Sequence, residues 1–124
     1  MRASVLKQNK FLIASVQGSM TDADLLQLRE ELAAGVRRHR STGVVIDISM
    51  LDVMDSFAVR TLRGIAQTVK LLGAECVVVG IQPDVAFSMV QLGLTLEGTM
   101  TALDLEDGLA LLDARSGVEA AVRD

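Results

Sequence analysis

The chain has no tryptophan and no tyrosine, three phenylalanines, and one each of cysteine, proline and histidine among 124 residues. Each shortage closes off a class of function. Without indole or phenol rings there is little to stack on bases. A net charge of −4, from 12 Lys and Arg against 16 Asp and Glu, leaves little to neutralise phosphates. Nucleic acid is therefore not an expected partner. The cluster Arg37-Arg38-His39-Arg40 is the local exception, and cations closing a helix against its dipole account for it. Cys76 cannot form an internal disulfide, and its place in Cys76-Val77-Val78-Val79 reads as a buried, inert thiol. No apolar run approaches the ~20 residues that span a bilayer. Met1-Arg2-Ala3-Ser4 leads into a segment carrying Lys7 and Lys10, not a signal peptide. A cytoplasmic protein without membrane association is expected.

What is present is aliphatic. Half the residues are hydrophobic and mean hydropathy is +0.39, so the core must be built from Val, Leu, Ile, Ala and Met. Such a composition suits a sheet covered on both faces, or apolar surface reserved for partners. The length fits one domain, 1–124, burying roughly two-thirds of the surface its unfolded chain exposes.

Patterning orders the elements. Val5 to Lys7 and Phe11 to Val16 read as a hairpin around Gln8-Asn9-Lys10. Gly18-Ser19-Met20-Thr21 interrupts, and Thr21 with Asp24 resembles a capping box. Leu25, Leu28, Leu32 and Val36 then mark one face of a helix reaching about Arg40. Val44-Val45-Ile46 is a central strand, and the loop Ser49 to Met54 leads to a helix from Asp55 or Ser56. Its expected buried stripe is Ala58, Leu62, Ile65, Val69 and Leu72, with Gly73 as stop. Cys76 to Ile81 is a further strand. Pro83 opens a third helix burying Val85, Ala86, Met89 and Val90, and Gly93 ends it. A short strand near Met100 to Leu103 precedes a last helix opened by Asp104 and carrying Leu105, Leu109 and Leu112, with fraying expected from Ser116. The order β-β-α-β-α-β-α-β-α predicts an α/β fold: a mainly parallel, four- to five-stranded sheet with helices packed on it.

Ligands and partners of open α/β sheets gather beyond the carboxyl ends of the strands. The most unusual stretch lies there: Asp47-Ile48-Ser49-Met50-Leu51-Asp52-Val53-Met54-Asp55-Ser56-Phe57. Asp47 could serve as the phosphoacceptor of a receiver domain. Receivers also need acidic residues after the first strand for a metal and a Lys after the last. Here the first acidic residue is Asp22, inside a helix, and the lysines are Lys7, Lys10 and Lys70. Nucleophilic serine catalysis needs a base and an orienting group, and His39 sits at the far end of the first helix. No Gly-rich phosphate loop or metal-spaced His/Cys set appears. No enzyme, cofactor or metal site is expected. Two readings of Ser56 stay open: it caps the second helix, or it is a kinase substrate at a positively polarised helix start. Met50, Leu51, Val53, Met54 and Phe57 make the loop apolar for a solvated one. Flexible Met suits a binding surface, although Leu51 and Val53 can equally turn back under the sheet.

The segment Val44-Val45-Ile46-Asp47 through Asp55-Ser56 resembles the signature of STAS domains, the anti-sigma-factor antagonist superfamily. Asp55-Ser56-Phe57, Gly80-Ile81-Gln82-Pro83 and Thr101-Ala102-Leu103-Asp104-Leu105-Glu106 are similar to the RsbS-type stressosome antagonists, and the resemblance covers nearly the whole chain. It implies the STAS fold, a non-enzymatic role, and Ser56 as the regulatory phosphoserine. The implied partner-binding switch loop is Asp52, Met54, Asp55, Ser56 and Phe57. The implied partners are an RsbT-type serine kinase, RsbR-type co-antagonists with an added sensor domain, a dedicated PP2C-like phosphatase and further copies in a large complex. Phosphorylation would release the sequestered kinase in a stress response. Anti-anti-sigma members typically show Asp-Ser-Ser-Gly, whereas this chain reads Asp55-Ser56-Phe57-Ala58, which favours the stressosome branch over direct binding of an anti-sigma factor. With no length for a sensor domain, a minimal subunit is expected. A small-ligand or nucleotide-binding module is the alternative. It would need phosphate-binding cations near the strand ends, where the loops are acidic.

Overall fold

Runs of β-branched residues set the centre of the molecule. In the computed structural model, which describes residues 3–18 and 20–123 with side chains to Arg115, they form the inner strands of a five-stranded sheet. The strands are β1 (Ala3–Gln8), β2 (Phe11–Val16), β3 (Gly43–Asp47), β4 (Glu75–Val79) and β5 (Met100–Ala102). The helices are α1 (Asp22–His39), α2 (Ser56–Leu71), α3 (Pro83–Gln91) and α4 (Leu105–Arg123). Strand order follows the chain, β1-β2-β3-β4-β5. The β1–β2 hairpin is antiparallel, turning at Asn9 with φ 56, and every other pairing is parallel. The expected α/β architecture and element order hold.

Alternation along each strand divides the core into two layers. Leu12, Ala14, Val44, Ile46, Cys76 and Val78 face α1, α2 and α3, while Phe11, Ile13, Val45, Val77 and Val79 face α4. Gly108 lets α4 settle on its face: a Cβ there would lie 2.6 Å from Val79 Cγ1. On the other face α1 buries Leu25, Leu28, Leu32 and Val36, as the spacing predicts. Its start is the expected capping box, with Asp24 N–H donating to Thr21 Oγ1 at 3.1 Å and Thr21 N–H to Asp24 Oδ2 at 3.0 Å.

Two buried stripes and one helix end differ from expectation. In α2 the buried residues are Val59, Leu62, Ile65, Ala66 and Val69; Ala58 is half-buried and Leu72 is exposed. Leu72 is the C-cap, where the chain leaves the helical path and its side chain loses the helix's phase. In α3 only Val85 and Met89 are buried and Val90 faces solvent, because a two-turn helix presents a narrow stripe. The backbone of α4 continues to Arg123, past the fraying expected from Ser116. Ser19, within the expected break before α1, lies outside the described residues. Cys76 is buried, and desolvation, with the nearby Glu75 charge adding to it, pushes its thiol from 9.0 up to about 12. No helix among the described residues is long and apolar enough to cross a membrane.

Candidate functional site at the carboxyl edge of the sheet

Because the β2, β3, β4 and β5 strands run parallel, the loops preceding all four helices meet at one edge. The β3–α2 connection lies in the middle and is held from both sides. Ile48 N–H continues the ladder to Val79 O at 3.0 Å, and Ser49 N–H donates to Asp47 Oδ1 at 2.9 Å. Asp47 is thus a turn-forming side chain. Gln82 Nε2 reaches across from the β4–α3 loop to Ser49 O at 2.7 Å. Gly80, at φ 78, packs so closely that a Cβ would lie 2.8 Å from Ser49 Cβ. On the opposite side a Cβ at Gly18 would lie 2.9 Å from Met50 O. Gly80 N–H bonds Leu103 O at 3.2 Å, which joins the β5–α4 loop to the same frame.

On this frame the chain enters α2. Asp55 is its N-cap, with extended backbone and Oδ1 accepting from Ala58 N–H at 2.8 Å. Ser56 is the first helical residue. The capping role weighed for Ser56 therefore belongs to Asp55. The Ser56 hydroxyl has no partner among the described residues, and its side chain is half-exposed at the positive end of the helix dipole. The loop's apolar residues divide sharply. Leu51 and Met54 turn into the core, at 7% and 5% exposure, whereas Met50 and Val53 stand out at 66% and 78%. Met54 therefore cannot present a contact surface as expected. It packs with the core under α2, and Met50 and Val53 occupy the surface instead. Asp52, Asp55 and Phe57 are exposed beside Ser56. Leu103, 80% exposed on the neighbouring loop, was missed by the sequence reading; its place directly after a parallel strand was the available signal.

Between the starts of α1 and α2 lies a cavity of about 220 Å³, floored by Val16, Leu25, Leu51 and Met54 and bordered by Asp22 and Asp55. No Lys or Arg among the described residues lines it, so it is ill suited to a nucleotide phosphate. Among the described residues no cluster of His, Cys, Asp and Glu could hold a metal ion.

Comparison with known proteins fits this geometry. The STAS domain family model matches residues 2–107. The chain is 35% identical over 83 residues to the RsbT co-antagonist protein RsbRA of Bacillus subtilis. That match takes in 67% of this chain but 30% of the relative, so the chain spans under a third of RsbRA. A solved serine-to-glutamate variant of RsbS from Moorella thermoacetica superposes with a TM-score of 0.81 at 35% identity, covering 94% of this chain and 98% of that one. A chain in the stressosome, described as a signal integration and transduction hub, superposes at 0.79 with 36% identity, covering 91% and 98%. By sequence match and by fold, the chain belongs to the STAS domain family, in which its likeness is to the RsbS and RsbR proteins of stressosomes.

Proposed function

We propose that the chain is a non-enzymatic scaffold subunit of a stressosome-type complex that holds an RsbT-type serine kinase and releases it when Ser56 is phosphorylated. The observation that carries this reading is the position of Ser56. A hydroxyl with no partner among the described residues stands at the first residue of α2, beyond the carboxyl end of the sheet, beside exposed Met50, Val53 and Phe57 on a braced loop. An apolar surface of this kind suits a protein partner. The likeness to RsbS over nearly the full length of both chains supports it, as does an RsbT co-antagonist among the relatives. Co-antagonists of the RsbR type and further copies of the chain complete the complex, and a PP2C-like phosphatase resets it.

The switch works through charge. A phosphoserine adds about −1.5 to −2 near neutral pH, here directly after a loop that carries the exposed carboxylates Asp52 and Asp55. The free N–H groups of the α2 start stabilise part of that charge, so the domain has no need to refold. A docked kinase would have to desolvate a dianion set in an apolar patch. A loss of about 2.8 kcal/mol weakens binding about a hundredfold.

Phosphate mapping tests the site. After incubation with the kinase and ATP, mass spectrometry should place the phosphate on Ser56, ahead of Ser49 and Ser88. The Ser49 backbone is tied down through both its N–H and its carbonyl, and Ser88 lies within α3. Phosphate found chiefly at either would rule the reading out.

A further inference from the structure

Ser56 and Arg60 stand four residues apart at the start of α2. That spacing makes two side chains neighbours on a helix surface, with Cβ atoms about 5–6 Å apart. Helical side chains lean toward the amino end, so the long Arg60 stem can reach back to the turn that carries Ser56. Ser56 is half-exposed, Arg60 is exposed, and neither side chain has a partner among the described residues. The other cations of α2 are differently placed. Arg63 Nη1 donates to Thr95 O at 3.2 Å. Lys70 lies in the last turn, roughly 20 Å along the axis from Ser56.

Arg60 also borders a groove of about 410 Å³ between α1 and α2. Leu26 and Phe57 supply its apolar lining and Arg29 and Arg60 its charge, and no acidic residue among those described lines it. Thr61 and Thr68 offer a visitor little, because their hydroxyls donate to Phe57 O at 2.7 Å and Gly64 O at 2.8 Å. Arg29 is paired with Glu30 at 2.9 Å, so among the described residues Arg60 is the groove's uncommitted guanidinium. Phe57 directly follows Ser56, which makes the groove continuous with the Ser56 patch. A protein segment that presents a carboxylate beside apolar side chains is the visitor this surface suits.

We infer that Arg60 is the second half of the switch: in the unmodified chain it meets a carboxylate of the docked kinase, and after phosphorylation it turns back to the phosphate on Ser56. This deepens the scaffold reading and rests on it. Once the γ-phosphoryl group of ATP has replaced the hydroxyl proton of Ser56, three acceptor oxygens lie one turn from a guanidinium fork. The pairing is intramolecular, so it competes well with a carboxylate on another chain. The loop carboxylates Asp52 and Asp55 oppose the phosphate, while Arg60 and the N–H groups of the α2 start hold it. The kinase thus loses an attraction in the same step that sets a dianion beside it.

Phosphorus NMR of the full chain, with phosphoserine introduced at position 56 during translation, tests the pairing without the kinase. Arg60→Gln should raise the second phosphate pKa by about 0.3–0.7 pH units, because an adjacent guanidinium favours the dianion. Arg60→Lys should keep most of the parent's value. Lys70→Gln, the same charge change beyond the screening length, should move it by no more than about 0.1. Kinase capture tests the consequence. Unphosphorylated Arg60→Gln should bind about threefold to tenfold more weakly than the parent, and phosphorylation should then weaken it by a smaller factor than it weakens the parent. Arg60 is exposed and Gln is a good helix former, so melting temperatures should stay close to the parent's. A phosphate pKa unmoved by Arg60→Gln, or moved as far by Lys70→Gln, would overturn the inference and leave the scaffold reading intact. Kinase capture undiminished in Arg60→Gln would overturn it equally. A parent chain that captures no kinase would remove the scaffold reading and the groove's part in it, while the titration still decides the ion pair.

Discussion

The two ends of the sheet are built for different purposes. At the amino end the chain turns briefly after α1 and α2. Arg40 closes α1 in the left-handed conformation, Thr42 N–H bonds Lys10 O at 2.8 Å, and Glu75 N–H bonds Thr42 O at 3.0 Å. The α2 exit is a Schellman turn, with Gly73 N–H on Lys70 O and Ala74 N–H on Val69 O. At the carboxyl end the loop between β3 and α2 exposes Met50 and Val53 and the loop after β5 exposes Leu103, and these loops are cross-braced through Gly80, Gln82 and Ser49. Both ends use contacts distant along the chain; at the carboxyl end these hold the loop before α2 with Met50 and Val53 in solvent.

The largest effect should come from breaking the brace. Gly80→Ala places a Cβ against Ser49 at a φ that L-residues avoid, and should cost about 2–4 kcal/mol in a denaturant titration. Gly73→Ala meets the same kind of φ, 99, in open space, and should cost only about 1 kcal/mol. Equal losses would mean that the carboxyl-end loops are not braced as described.

Smaller effects separate neighbours at the start of α2. Asp55→Ala removes the side chain that caps the helix and should cost about 0.5–2 kcal/mol. Ser56→Ala removes a hydroxyl with no partner among the described residues and should stay within about 0.5 kcal/mol of the parent. A larger loss at Ser56 than at Asp55 would reverse their assigned roles.

The smallest effect concerns the interior between the two ends. The folded Cys76 thiol stays protonated up to about 12, whereas the unfolded thiol ionises near 9.0. Its contribution is therefore fully present below the unfolded value and is lost as pH rises above it. At pH 8 the native protein should resist iodoacetamide and react only on unfolding. Rapid native labelling would show Cys76 to be accessible.

Much of this was legible in the sequence where the physics is local or periodic. The uninterrupted runs at Val44 to Ile46 and Val77 to Val79 announced strands covered on both faces. Thr21 and Asp24 announced a helix start, and the spacing of Leu25, Leu28, Leu32 and Val36 its buried face. The resemblance around Asp55-Ser56-Phe57 located the candidate site. What escaped was set by contacts distant along the chain. Nothing periodic distinguishes Met50 from Met54, or Leu51 from Val53. Their directions follow from Gln82 grasping Ser49 and from the close approaches of Gly18 and Gly80. Val59 and Ala66 were missed because the stripe of α2 is wider than a strict heptad, and Val90 was expected inside but is exposed because the stripe of α3 is narrower.

The central claim, that charge at Ser56 releases the kinase, is tested most directly by capture of an RsbT-type kinase on purified Ser56→Ala and Ser56→Asp variants. Ser56→Ala should hold the kinase as the parent does and keep it when ATP is added, since the acceptor hydroxyl is gone. Ser56→Asp should melt at or slightly above the parent temperature, because a carboxylate suits a helix N-terminus. It should capture the kinase measurably less, though not as weakly as phosphoserine, whose charge is greater. If Ser56→Asp captures the kinase as well as the parent while both variants melt normally, charge at this position is not the switch.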